Sequence, residues 1–330
     1  MPRHAWTTFA AAGLAGLATA GSVAATPRDA SYFTNLPLIA HSGEEVRFYD
    51  ELIEDRIVAI SFIYTDCPDL CSLSTARLAQ VYDWLGDRMG RDIFFYSISL
   101  TPETDTPEKL ARFAEAFGVG DGWLFLTGQA EDIDTIRHRL GERSRSLSEH
   151  RSDMVIGNDR TGHWRRSSVM GNLGTLMQSI LELDPDWVPD DVGAVVDAPE
   201  AYRLDGHPGE ALFLQGCAAC HSIGAGTRIG PDLAGVTLRR ERAWLRRYLA
   251  APDILLRDGD PVAVALDARF PDVRMPFMDL SPTDIEDLLT YLQAEFEELT
   301  REGGGTAADH AHPDHAAHDH AVHAHGAARE

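Results

Sequence analysis

Two hydrophobic periods divide this chain. From residue 31 to 183, short apolar runs alternate with amphipathic stretches. Ile57-Val58-Ala59-Ile60-Ser61-Phe62-Ile63-Tyr64 is apolar at nearly every position, the pattern of a strand buried on both faces, and Thr65-Asp66-Cys67 ends it. Leu73, Leu78, Val81 and Leu85 then recur at helical spacing, which predicts a helix over 70–85. Residues 93–100 read as a second strand, and Thr106-Pro107 opens a helix to Phe117 with proline in its first turn. A third strand is predicted over 123–126 and another helix over 132–140. Residues 154–157 and a segment near Trp164 complete the sheet, before a last helix from about 172 to 183. Strand–helix alternation of this kind predicts an α/β domain around a central sheet.

Residues 185–206 are acidic, interrupted by proline and without sustained period, which marks an interdomain linker. Beyond it the spacing turns helical. Residues 244–249 and 283–292 have inward-facing apolar positions, the second run following a Ser281 cap and Pro282. A second, all-α domain is therefore expected over 207–302. Gly303-Gly304-Gly305 ends it, and 303–330 form a low-complexity tail of Ala, Asp and His that is expected to be disordered.

Charge and the N-terminus narrow the setting. A formal charge of −23 over 330 residues argues against nucleic acid or anionic membrane surfaces as partners and favours basic ones. Arg3 and His4 precede an uncharged stretch from 5 to 27, with small-residue sites at Ala18-Thr19-Ala20 and Ser22-Val23-Ala24. That is the pattern of an export signal over 1–25, and it implies a periplasmic protein, membrane-anchored only if the signal stays uncleaved. The glycine-rich, mildly apolar core of the stretch suits a permanent span poorly.

Export changes how the cysteines read. The four cysteines fall in two close pairs, Cys67/Cys71 and Cys217/Cys220, whereas a secreted disulfide scaffold would use more of them and spread them out. Each pair sits in a motif of its own. Cys67-Pro68-Asp69-Leu70-Cys71 joins the first strand to the first long helix, so the thiolates lie at the positive end of a helix dipole. Four positions apart on a helix, both sulfurs face the same way. Two soft thiolates suit Cu(I), imidazole is a good third ligand, and the same pair can also close into a disulfide.

The segments FIYTDCPDLC at 62–71, YSISLTPETDTPEKL at 96–110 and GWLFLTG at 122–128 make residues 31–184 resemble the SCO/SenC family. These are thioredoxin-like copper proteins that help assemble the binuclear copper centre of cytochrome c oxidase. The resemblance implies a thioredoxin-like fold, Cys67 and Cys71 as copper ligands, and a third ligand from a histidine before a late strand. Glu149-His150 fits that position best, with His163 as its rival, while His41 and His138 read as surface or turn residues.

The second pair lies in Cys217-Ala218-Ala219-Cys220-His221, the attachment signature of c-type haem. In that chemistry both sulfurs form thioethers to the vinyl groups and His221 ligates the iron. Residues 207–300 resemble a small class I cytochrome c, which implies a methionine as sixth ligand. Met275 stands in the usual position, and Met278 is close enough to be an alternative. Zinc held by this motif would need a fourth ligand that is not placed nearby.

The expected function is a periplasmic copper metallochaperone for an oxidase's copper-binding subunit, with a fused haem c as electron carrier to redox partner proteins. Two alternatives remain: a thiol–disulfide reductase using Cys67 and Cys71 as its redox pair on a partner's cysteines, and an electron-transfer cytochrome with a docking module. The tail holds seven of the fourteen histidines, from His310 to His325, and either chelates metal loosely or is a plain soluble extension.

Overall fold

The structure, a computed structural model, describes residues 28–67, 70–188 and 207–302. The expected export signal, Pro68 and Asp69, most of the linker and the histidine-rich tail lie outside those residues.

The first domain is built around β3 (Ile57–Ile63), buried at every position. Its neighbours explain why. β4 (Ile93–Ser99) pairs with it in parallel on one side and β6 (Asp153–Asn158) antiparallel on the other. β5 (Trp123–Thr127) extends the parallel side, and the β6–β7 hairpin (β7, His163–Ser168) closes the other edge. A short hairpin, β1 (Pro37–Ala40) and β2 (Glu45–Arg47), pairs onto β5, giving a seven-stranded sheet ordered β2-β1-β5-β4-β3-β6-β7. The hairpin was not expected, because strands of four and three residues are too short to show a period.

Successive side chains of a strand point to opposite faces, so β3 feeds two cores. Ile57, Ala59 and Ile63 pack with α2 (Cys71–Leu85), α3 (Pro107–Ala116) and α5 (Leu173–Leu181). Val58, Ile60 and Phe62 pack on the other face with Phe33 of α1 (Ala30–Phe33) and Ile133 and Ile136 of α4 (Ala130–Arg139). The result is the expected α/β sandwich. The predicted helices of this domain fall within two residues of those observed, and Asn172 caps α5 by accepting from Thr175 N.

The second domain is helical, as expected: α6 (Pro208–Leu212), α7 (Val236–Arg239), α8 (Arg242–Ala250), α9 (Pro252–Arg257), α10 (Pro261–Arg269) and α11 (Pro282–Glu302). α11 runs ten residues beyond its predicted end, and the short α9 and α10 carry no clear period. Its buried apolar side chains are few, chiefly Phe213, Leu245, Ile285, Leu288, Leu289 and Leu292. Among the described residues no helix is long and apolar enough to cross a membrane.

α6 crosses α11 in close contact. A Cβ on Gly209 would lie 2.1 Å from the Asp287 carbonyl oxygen and 2.7 Å from Tyr291 Cβ. That crossing fixes where α6 ends and thus where Cys217 begins. Gly209→Ala is therefore expected to destabilise the second domain by about 1–3 kcal/mol, the usual cost of overpacking. Guanidinium unfolding of the haem-loaded protein measures it, and an unchanged midpoint would show that the two helices can part at no cost.

Candidate metal centres

Cys67 follows the C-terminal end of β3, and Cys71 is the first residue of α2. Each is 3 % exposed, and they pack together with Tyr64. No side chain caps α2, so the positive end of this fifteen-residue helix is directed at the cysteine turn. The hydroxyls of Ser74 and Thr75 both donate to the Cys71 carbonyl at 2.9 Å, which satisfies polar groups in a buried turn.

The approach to Cys67 is held by Asp105, whose side chain is fully buried. One carboxylate oxygen accepts from Thr65 Oγ1 at 2.5 Å; the other accepts from Ser99 Oγ at 2.6 Å, Thr101 Oγ1 at 3.1 Å and Thr65 N at 3.2 Å. Lys109, the chain's one lysine, stands 3.4 Å from Asp105 and donates to Asp66 at 2.7 Å. The acid thus ties β3, β4 and α3 to the residues immediately before Cys67. Neither residue stood out in the sequence except as part of the TPETDTPEKL run, where a lone acid before a helix reads first as a cap.

Sheet register separates the two histidine candidates. His163 pairs with Asn158, which pairs with Ile57, so it lies at the start of β3, about 20 Å of strand away from the cysteines. His150 precedes β6 and reaches the cysteine end: its Nε2 is 2.9 Å from the Phe62 carbonyl oxygen. The ring is 4 % exposed, and its Nδ1 lies 3.1 Å from Glu142 Oε2. Burial alone would raise the Glu142 pKa, but donors from Ser144 and the charge and hydrogen bond of His150 outweigh it and hold the carboxyl below its ordinary range. Glu142 carried no signal in the sequence, because its partner is reached only through the fold. Both His150 nitrogens are engaged with these groups. Among the described residues, no three His, Cys, Asp or Glu gather at metal-binding distance. His41 lies in a turn, as expected, and is half-buried, with Nδ1 accepting from Phe125 N at 3.2 Å. His138 is exposed at the end of α4, as expected.

In the second domain, α6 passes into a π-helical turn, Phe213–Cys217, which delivers the Cys217–His221 motif. Low-polarity surroundings push the thiols of Cys217 and Cys220 up to about 12. Burial lowers the His221 pKa, keeping the ring neutral. Its Nδ1 is 2.8 Å from the Pro231 carbonyl oxygen; only a protonated Nδ1 can donate there, which leaves Nε2 with its lone pair for a metal. Gly230 is packed under the ring, where a Cβ would come within 2.6 Å of it. Asp232 braces the loop, accepting from the amides of Gly224, Gly226 and Ala234 at 2.9, 2.6 and 2.7 Å.

The helices enclose a cavity of about 800 Å³, within the range of cofactor sites, lined by Cys217, Cys220, His221, Met275 and Met278 among others. The residues present fit a covalently held haem: two thiols, an oriented imidazole and a mainly apolar wall. Met278 also packs against the first domain, with its methyl beside Gly216, whereas Met275 has no part in that packing.

Comparison with known proteins agrees with this division. Residues 25–181 match the SCO1/SenC family and residues 207–294 the cytochrome c family. Protein SenC of Rhodobacter capsulatus is 28% identical over 167 residues, 49% of this chain and 69% of that protein. A cytochrome c-553-like protein of Synechocystis is 30% identical over 93 residues, 28% of this chain and 71% of that protein. The crystal structure of copper-bound ScoI from Arabidopsis thaliana is 21% identical, with a TM-score of 0.37, covering 44% of this chain and 94% of that one.

Removing the Asp105 carboxylate leaves Thr65 N and three hydroxyls without their acceptor. Asp105→Ala is expected to cost about 3–5 kcal/mol of stability, as for a buried charge network cut on one side. Chemical denaturation measures the loss. A cost below about 1 kcal/mol would show that water replaces the carboxylate freely.

Proposed function

We propose that this chain, which belongs to the SCO1/SenC family through its N-terminal domain and to the cytochrome c family through its C-terminal domain, is an exported copper carrier for oxidase assembly with its own haem c. Copper is the cargo. Cys67 and Cys71 hold it as Cu(I) through two thiolates, His150 joins as third ligand, and the recipient is the copper-binding subunit of a cytochrome c oxidase. The observation that carries this reading is convergence at one end of β3: both cysteines are buried there, and register brings His150 to the same end while taking His163 to the other. To ligate copper, the His150 ring exchanges one hydrogen bond, to Glu142 or to the Phe62 carbonyl, for the metal.

Cys217 and Cys220 hold the haem as thioethers, His221 ligates through Nε2, and Met275 is the sixth ligand. When bound, haem supplies a one-electron couple, whose potential methionine ligation raises. Thiols outside the cytoplasm are liable to oxidation, so a built-in electron carrier serves to keep the cargo site reduced. Periplasmic location follows from the export signal and from the compartment in which haem c is attached. A thiol–disulfide reductase is the second reading, favoured by the engagement of both His150 nitrogens away from the cysteine pair.

Elemental analysis separates the two readings. Reduced protein lacking residues 303–330 is exposed to excess Cu(I) and desalted, with haem iron counting molecules. One copper per iron is expected in the parent, with loss in Cys67→Ser and at least tenfold weaker retention in His150→Ala. A parent that keeps no copper while its cysteine pair cycles between dithiol and disulfide would transfer the function to the reductase.

A further inference from the structure

The cavity that fits haem is not built by the second domain alone. Asp66 and Leu73 line it together with Cys217, Cys220, His221 and Met275. Those two residues bracket the cysteine pair: Asp66 precedes Cys67, and Leu73 follows Cys71 by two positions. The contact is reciprocal. Ala219, between the two haem-motif cysteines, is 3 % exposed and belongs to the core of the first domain. Cys220, Ile229, Val273 and Met278 pack against the same core.

Arg77 sits at this seam. It lies on α2, six residues after Cys71, and is 8 % exposed. Its Nε donates to the Val169 carbonyl at 2.8 Å and one terminal nitrogen to that of Gly171 at 2.5 Å. The other terminal nitrogen crosses to the second domain and donates at 3.0 Å to the carbonyl of Gln215, two residues before Cys217. Among the described residues no carboxylate pairs with it. A buried cation is costly unless its donors are satisfied, and here docking of the second domain supplies the third acceptor. Farther out, Arg112 meets Asp272 at 3.3 Å, an exposed pair of little weight by itself.

We infer that Asp66 and Leu73, which flank the two cysteines, are also a wall of the haem cavity, held there by Arg77 farther along α2, so that metal on the cysteine pair is felt at the haem. This rests on the reading above of copper at Cys67 and Cys71 and haem at Cys217–His221. Haem potentials respond to nearby charge and solvent access. A wall that stiffens and changes charge when Cu(I) binds therefore shifts the potential without any contact between the two metals. Arg77 acts through the wall and is a positioning residue.

Two variants of the full-length haem-loaded chain test this. Arg77→Met removes the pin, and Ala219→Asp puts a charge into the seam while leaving Cys217, Cys220 and His221 in place. Amide hydrogen exchange is followed on both sides, over 71–81 and 213–221, and the haem midpoint potential is titrated optically without and with one equivalent of Cu(I). Both variants are expected to exchange at least tenfold faster on both sides of the seam. The Cu(I)-dependent shift of potential, present in the parent, is expected to vanish in both. If Arg77→Met fails to fold, Ala219→Asp carries the test. Unchanged exchange across the seam in Ala219→Asp would overturn the shared wall, as would a parent that retains copper without any shift. A parent that retains no copper, with exchange accelerated in Ala219→Asp, keeps the wall and removes the copper reading alone.

Discussion

Burial of β3 on both faces is the constraint from which the rest of the first domain follows. A strand with water on neither side needs hydrogen-bonded neighbours along both edges and apolar cover above and below. β4 and β6 provide the edges, and the helices α2, α3 and α5 and, opposite, α1 and α4 provide the cover. The chain can leave such a strand only at its end, and α2 begins eight residues after that end, at Cys71. The cysteines occupy that exit, where a buried strand meets the positive end of a helix.

The buried polar groups near the exit, Asp105 and His150, are satisfied internally. Asp105 gathers donors from three segments, and Lys109 links it to Asp66 beside Cys67. His150 is held in the same way, between Glu142 and the Phe62 carbonyl. Such networks are rigid while complete, because every donor released indoors costs the full desolvation of the group. The approach to Cys67 is thus held from behind by neutral and charged hydrogen bonds, while the two sulfurs remain the soft groups at the site.

The second domain has the opposite economy. Its apolar core is small for its length, and its helices wrap a cavity that the haem motif borders. A domain built this way depends on what surrounds the cavity as much as on its own packing. The first domain supplies part of that surround through Leu73 and Asp66, and the buried guanidinium of Arg77 gains its third acceptor, the Gln215 carbonyl, from the second domain. Two motifs far apart in the chain thereby come to share a wall.

By itself the sequence determined what is local. The continuous apolar run of β3, the helical spacing after Cys71, the proline-started helices and the two cysteine motifs depend on neighbours a few residues apart, and these were legible. Spacing marked out both cysteine pairs and His221 as candidate ligands, and the resemblance to the SCO/SenC family gave Cys67 and Cys71 their expected role with copper. Tertiary structure decided what depends on register and on contacts between distant segments. It separated His150 from His163, because antiparallel pairing across β6 and β7 assigns them to opposite ends of β3. It revealed Asp105 and Glu142, whose partners lie in other elements, and Arg77, whose third acceptor lies 138 positions along the chain. It also left Met275 outside the packing that occupies Met278. Periodicity records which face of an element is buried, whereas the partner of a buried charge is known only once the segments that enclose it have met.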